Sequence, residues 1–211
     1  MPNPSEKILI DSSMFPSTHL SLLAAITGDS SNRLPWERFV TIYEPALRRW
    51  LTKRGLSPHD AEDCTQQVLM SVSRSIRSFR DDNQPASFRR WIQRIARNEL
   101  ISSIRTRSKQ PQSTNDSFVW DQLVSMADES DRLEQSFDDE YRRSLFFVAA
   151  AEIQQTVAPK TWQAFWMSQV ESIPTPVIAK TLGMSVGSVY VAKGRVLQRL
   201  QAAVARLEEL Q

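Results

Sequence analysis

Two groups of side chains are suited to chemistry with a charged partner. Arg89, Arg90, Arg94, Arg97, Arg105, Arg107 and Lys109 set seven positive charges against one acid, Glu99. Like charges this close on a helix repel by roughly a few tenths of a kcal/mol per adjacent pair. A nucleic-acid backbone would relieve that repulsion and release counterions; the plain alternative is a solvated helix face. The second group is acidic and amidic: Asp60, Glu62, Asp63, Gln66 and Gln67. Acids near a helix start are also explained by the helix dipole alone, with no partner.

Catalysis has no comparable support. His19 and His59 form no cluster with Cys64 at metal-ligand spacing, so no metal or cofactor is expected. No carboxylates are joined by a metal-binding histidine, there is no Gly-rich phosphate loop, and no Ser or Cys has a base nearby in sequence. An enzyme is not expected.

Elements must position these side chains, and the pattern is helical throughout. Glycine is scarce, at five in 211 residues, and long segments are built from Arg, Leu, Ala, Gln and Glu. A short helix is expected over Thr18–Thr27, ending at Gly28. The next starts at Pro35, with Trp36, Phe39, Val40, Tyr43, Leu47, Trp50 and Leu51 on one face and Gly55 as its stop. Ser57-Pro58 reads as an N-cap followed by proline at the first helical position. Ala61, Val68, Val72, Ile76 and Phe79 continue the buried stripe. The polar run Arg80–Ala86, containing Pro85, is a loop. Ser87 caps a helix to about Arg107, with Phe88, Trp91, Ile92, Ile95 and Ile104 free to face inward.

Charge divides the chain further. Residues 1–110 carry +6, residues 111–140 carry −8 and residues 141–211 carry +4. The expected organisation is a tail at 1–16, a helical module at 17–109, an acidic flexible linker at 110–140 and a second helical module at 141–211. The linker is expected to be tether-like, partly ordered on a partner or merely solubilising. No segment has the length or apolarity of a membrane helix, and the start lacks signal-peptide character, so a cytoplasmic location is expected.

The second module holds a sharper motif. Helices are expected over Tyr141–Val157, Pro159–Val170 and Val177–Leu182, then a turn at Gly183-Met184-Ser185 and a helix from Val186 to about Leu210. Ala179, Gly183 and Val189 stand where a helix-turn-helix needs a small residue, a turn glycine and an apolar anchor. Ile178, Leu182, Val186 and Leu197 are assigned to the interior. Ser185 caps the last helix and can reach a phosphate, and Ser188, Tyr190, Lys193, Arg195 and Arg199 face outward as candidate DNA contacts.

Three segments in this order resemble the bacterial sigma factors. Asp60-Ala61-Glu62-Asp63-Cys64-Thr65-Gln66-Gln67-Val68 resembles the "DAED…Q" part of their region 2. Ser87-Phe88-Arg89-Arg90-Trp91-Ile92-Gln93-Arg94-Ile95-Ala96-Arg97-Asn98 is similar to the "SFRxWLxxIARN" segment that follows. Gly183-Met184-Ser185-Val186-Gly187-Ser188-Val189 resembles the turn and recognition helix of region 4. The short connector resembles the extracytoplasmic-function (ECF) class.

The resemblance implies an all-α fold of two small domains, a region 2 bundle and a region 4 helix-turn-helix. It implies that Asp60, Glu62, Asp63, Gln66 and Gln67 dock on the clamp helices of core RNA polymerase. Arg80, Asn83, Arg89, Arg90, Arg94, Arg97 and Asn98 would then meet the promoter's minus-ten element and hold an unstacked base. Ser185, Val186, Ser188, Tyr190, Lys193, Arg195 and Arg199 would meet the minus-thirty-five element while the module grips the polymerase flap. An anti-sigma factor would be a further partner. Many family members carry a basic residue at the place of Tyr190 and Arg at that of Ala192. The competing expectation is a helix-turn-helix repressor or activator whose N-terminal half senses a ligand or dimerises.

Overall fold

The computed structural model describes residues 34–82, 86–107 and 130–209. The expected helix at Thr18–Thr27, the tail at 1–16, Asn83, Pro85 and residues 108–129 of the connector lie outside the described residues. The rest is helical, with no strand among the described residues: α1 (Leu34–Thr52), α2 (Pro58–Ser75), α3 (Ser87–Arg107), α4 (Ser130–Thr156), α5 (Pro159–Gln169), α6 (Thr175–Leu182) and α7 (Val186–Glu209). These form two compact units, the first ending at Ser144 and the second running from Leu145 to Glu208.

In the first unit α2 packs against both α1 and α3. Phe39, Ile42, Tyr43, Ala46, Leu47, Trp50 and Leu51 are buried along α1, at steps of one, three and four that keep them on one face. Gly55, at φ 89°, lets the chain leave α1 through a conformation open to glycine. Ser57 then caps α2: its hydroxyl oxygen accepts the Asp60 amide at 3.2 Å, and its hydroxyl donates back to the Asp60 carboxylate. Ala61, Cys64, Thr65, Val68, Leu69 and Val72 line the inner face of α2, and Phe88, Ile92, Ala96, Leu100 and Ile104 that of α3.

The boundary at Tyr141 expected from composition falls inside a helix. α4 starts at Ser130, and its Phe137 and Tyr141 are buried within the first unit. Phe137 meets Trp50 edge-on at 5.8 Å, and Tyr141 lies 5.1 Å from Tyr43. Each buried aromatic of this size contributes about 1.5–3 kcal/mol by leaving water.

In the second unit Phe146, Ala149, Ala150, Ile153, Trp162, Phe165, Val196, Leu200, Ala203 and Val204 make one cluster. Ala164, Ile178, Ala179, Val189 and Ala192 make another beneath the helix-turn-helix. The buried stripe of α7 therefore runs Val189, Ala192, Val196, Leu200 and Ala203. Leu197 is one position off that stripe and is 41% exposed; Val186, at the first helical position, is 45% exposed. Both were expected inside, and both face out.

Candidate functional site

α2 presents the acidic and amide residues on one face. Glu62, Asp63, Gln66 and Gln67 are exposed at i, i+1, i+4 and i+5, while Asp60 is half-buried and engaged with Ser57. His59 lies 3.5 Å from Asp63 and Met70 extends the face with an exposed apolar side chain. A cleft of about 390 Å³ separates this face from α3, with Asp63 and Gln67 on one wall and Glu99, Ser102 and Thr106 on the other. Ser71 donates to Glu99 at 2.7 Å and ties the two helices together.

Cys64, buried beneath the same cleft, is no nucleophile. Burial foremost, with Glu99 adding to it, pushes its thiol pKa up to about 12. The thiolate is the reactive form, so this side chain behaves as a small apolar filler.

The basic residues expected to act together are divided by the fold. Arg94, Asn98 and Arg105 are exposed at i, i+4 and i+11 on α3, with Arg97 half-buried beside them. They span about 16 Å of helix axis at 1.5 Å per residue. Arg80 is also exposed, its guanidinium donating to the carbonyls of Arg77 and Phe79.

Arg90 instead clamps the loop, holding both Asp82 carboxylate oxygens at 3.0 and 2.8 Å. Asp82 in turn donates its amide to Ser87 Oγ at 3.3 Å. Phe79 packs on Phe88 and Trp91 at 5.2 and 5.3 Å, fixing where the loop leaves the core.

Arg89 is removed from the DNA-contact set. It is 6% exposed, its Nε donates to Asp138 Oδ1 at 2.9 Å, and its guanidinium lies 4.7 Å from the Tyr141 ring centroid. Burial alone would lower its pKa, but Asp138, Tyr141 and Tyr43 together raise it above the ordinary arginine value. A side chain so enclosed cannot meet a phosphate.

A second buried ion cluster sits nearby on α4. Glu140 takes Arg49 Nε at 2.6 Å and Lys53 Nζ at 2.6 Å, while Arg49 Nη2 also donates to Ser144 Oγ at 2.6 Å. Ser136 accepts from Trp50 Nε1 at 3.2 Å and from Arg54 Nη2 at 2.7 Å. Sequence reasoning missed this set because the acids of 111–140 were read together as linker.

In the second unit the turn has the geometry a helix-turn-helix requires. Gly183 adopts φ 63°, ψ 42°, its amide donates to Ala179 O, and the Met184 amide reaches the same carbonyl at 2.9 Å. Ser185 Oγ accepts the Ser188 amide at 3.0 Å and starts α7. Ser185, Val186, Ser188, Tyr190 and Arg195 are each exposed, Val186 and Tyr190 on one flank of α7 and Ser188 and Arg195 on the other. Lys193 lies over the Tyr190 ring at 5.9 Å. Arg199 is exposed but donates to the Thr156 carbonyl at 3.2 Å, so its head group covers the end of α4.

No helix among the described residues is long and apolar enough to cross a membrane.

These geometries agree with what the chain is similar to. Residues 39–110, which include α1 from Phe39 onward, α2 and α3, match the family described as sigma-70 region 2. Over 187 residues the chain is 25% identical to the "ECF RNA polymerase sigma factor SigE" of Mycolicibacterium smegmatis, covering 85% of this chain and 65% of that protein. The chain thus spans just under two thirds of that relative's length. The similarity of the first unit is thus to a sigma-70 region 2 domain. Together the two similarities support a protein of the ECF sigma factor kind.

Proposed function

We propose that this chain binds core RNA polymerase, directs it to specific promoters and assists promoter melting, in the cytoplasm. The observation that carries this reading is the pairing of two faces in one small bundle. Glu62, Asp63, Gln66 and Gln67 leave an acid and amide surface free for a polymerase helix pair. Arg94, Arg97 and Asn98, together with Arg80 in the loop, supply a basic surface for a separated DNA strand. A repressor would need the second unit and has no use for the first pairing.

Unstacking a base costs a few kcal/mol, and charged contacts on α3 together with the loop at Arg80–Ala86 offset it. The second unit takes the part of region 4, with α7 in the major groove at a minus-thirty-five element and the unit gripping the polymerase flap. A regulator of the anti-sigma kind would silence the chain by covering the α2 face.

The test is transcription in vitro with purified core polymerase and a genomic promoter library. The chain should start specific transcripts, and Asp63→Arg with Gln67→Arg should weaken core binding at least tenfold without lowering the melting temperature. Tight promoter binding with no association with core polymerase would sink this reading.

A further inference from the structure

Six large hydrophobic side chains stand exposed among the described residues, and five belong to the helix-turn-helix: Val177, Val186, Tyr190, Val191 and Leu197. They are not overflow from the core, because the inner face of α7 is already filled by Val189, Ala192, Val196 and Leu200. Val186 and Tyr190, four residues apart, share one outward face at 45% and 59% exposure, and Lys193 extends it.

What is missing from this face is equally informative. Residues 186–192 contain no Arg, Lys, Asn, Gln, Asp or Glu. Those are the side chains that recognise guanine, adenine and cytosine edges by hydrogen bonding in the major groove. The polar atoms available over these two turns are hydroxyls: Ser188, already 2.8 Å from Ser185 Oγ, and Tyr190. The apolar handle of the major groove is the C5 methyl group of thymine.

We infer that the first two turns of α7 read thymine methyl groups in the upstream promoter element, through Val186 and Tyr190. Charged contacts begin only at Lys193 and Arg195. The inference rests on the reading of α6 and α7 as a DNA-binding pair. It adds which chemical group on the base is recognised and which side chains recognise it.

Replacing thymine by deoxyuridine removes that methyl and keeps the hydrogen-bonding edge. The full chain with core polymerase first selects a preferred duplex from a random-sequence pool. The selected duplex is then resynthesised with deoxyuridine at each thymine of its upstream element. Burial of one methyl corresponds to about a fourfold change in affinity, so each contacted thymine should lose about that much on substitution.

Val186→Ala and Tyr190→Ala should bind the thymine duplex more weakly and show a smaller deoxyuridine effect, with unchanged melting temperatures because both positions are exposed. A preferred duplex that the wild-type chain binds equally well with thymine or deoxyuridine would overturn the inference and leave DNA binding intact. That outcome would assign the apolar face to a protein surface. A pool that yields no preferred sequence would overturn this inference and the DNA-binding reading together.

Discussion

Beneath its apolar core the first unit encloses several polar and charged side chains, whereas the second encloses Glu208 alone among the described residues and shows water much of its hydrocarbon. Arg89, Gln93, Glu140, Ser144 and Thr65 are all enclosed in the first unit. In the second, both clusters are apolar, and Val177, Val186, Tyr190, Val191 and Leu197 remain outside. Buried ions are costly unless paired, and they punish misplacement more than they reward formation. The first unit is therefore held in one arrangement by geometry that must be satisfied. The second is held mainly by packing, and an apolar face of it remains exposed.

The largest effect that would sharpen this contrast comes from Arg89→Ala. It takes away the 2.9 Å partner of Asp138, leaving Arg142 at 3.7 Å, and opens space beside Tyr141, so it should destabilise the first unit by about 3 kcal/mol in urea unfolding. The second unit's own transition should stay in place. A loss below about 1 kcal/mol would mean the ion pair is dispensable and the contrast false. Next in size is Gly183→Ala, which forces an alanine to φ 63°. A left-handed residue costs roughly 1–2 kcal/mol, and the loss should fall on the second unit alone.

Acid should act on the first unit through Glu140. Burial pushes its carboxyl upward, but hydrogen bonds from Lys53 and Arg49 outweigh this and hold its pKa below the ordinary 4.5. A depressed carboxylate contributes stability above its unfolded value that is lost as pH falls through the folded one. Urea midpoints followed from about pH 6 to about pH 3 should fall, and Glu140→Gln should flatten the part of that fall due to this group.

The smallest change has the opposite sign. Gly194 lies within α7 with open space where a Cβ would go. Gly194→Ala should stabilise the second unit by about 0.5–1 kcal/mol, read as a higher melting temperature.

The helices carrying both faces could be read from sequence because their apolar residues recur every three or four positions, as Phe39, Tyr43, Leu47 and Trp50 do. The acid and amide face of α2 was legible for the same reason: the inward Ala61, Val68 and Val72 fix which way Glu62, Asp63, Gln66 and Gln67 point. Composition hid the rest. Phe137, Tyr141 and Leu145 repeat every four residues, but this stripe runs through Asp138, Asp139 and Glu140, and the acids suggested a linker.

Arg89 was misplaced because counting charges along a helix ignores its phase. It lies three residues before Ile92 and seven before Ala96, on the inner face, and that spacing was a usable signal. Arg199 had no such signal. Its partner is a carbonyl, and backbone atoms leave no trace in side-chain pattern.

Cys64 is the lone cysteine of the chain and is buried at the floor of the cleft between α2 and α3, where burial and Glu99 push its thiol pKa up. The wild-type protein is therefore almost silent to maleimides and other thiol reagents. A cysteine placed at Gln66 or at Tyr190 would become the single reactive sulfur in the molecule. Each would carry a fluorophore or photocrosslinker to one chosen surface, without any native residue having to be removed first.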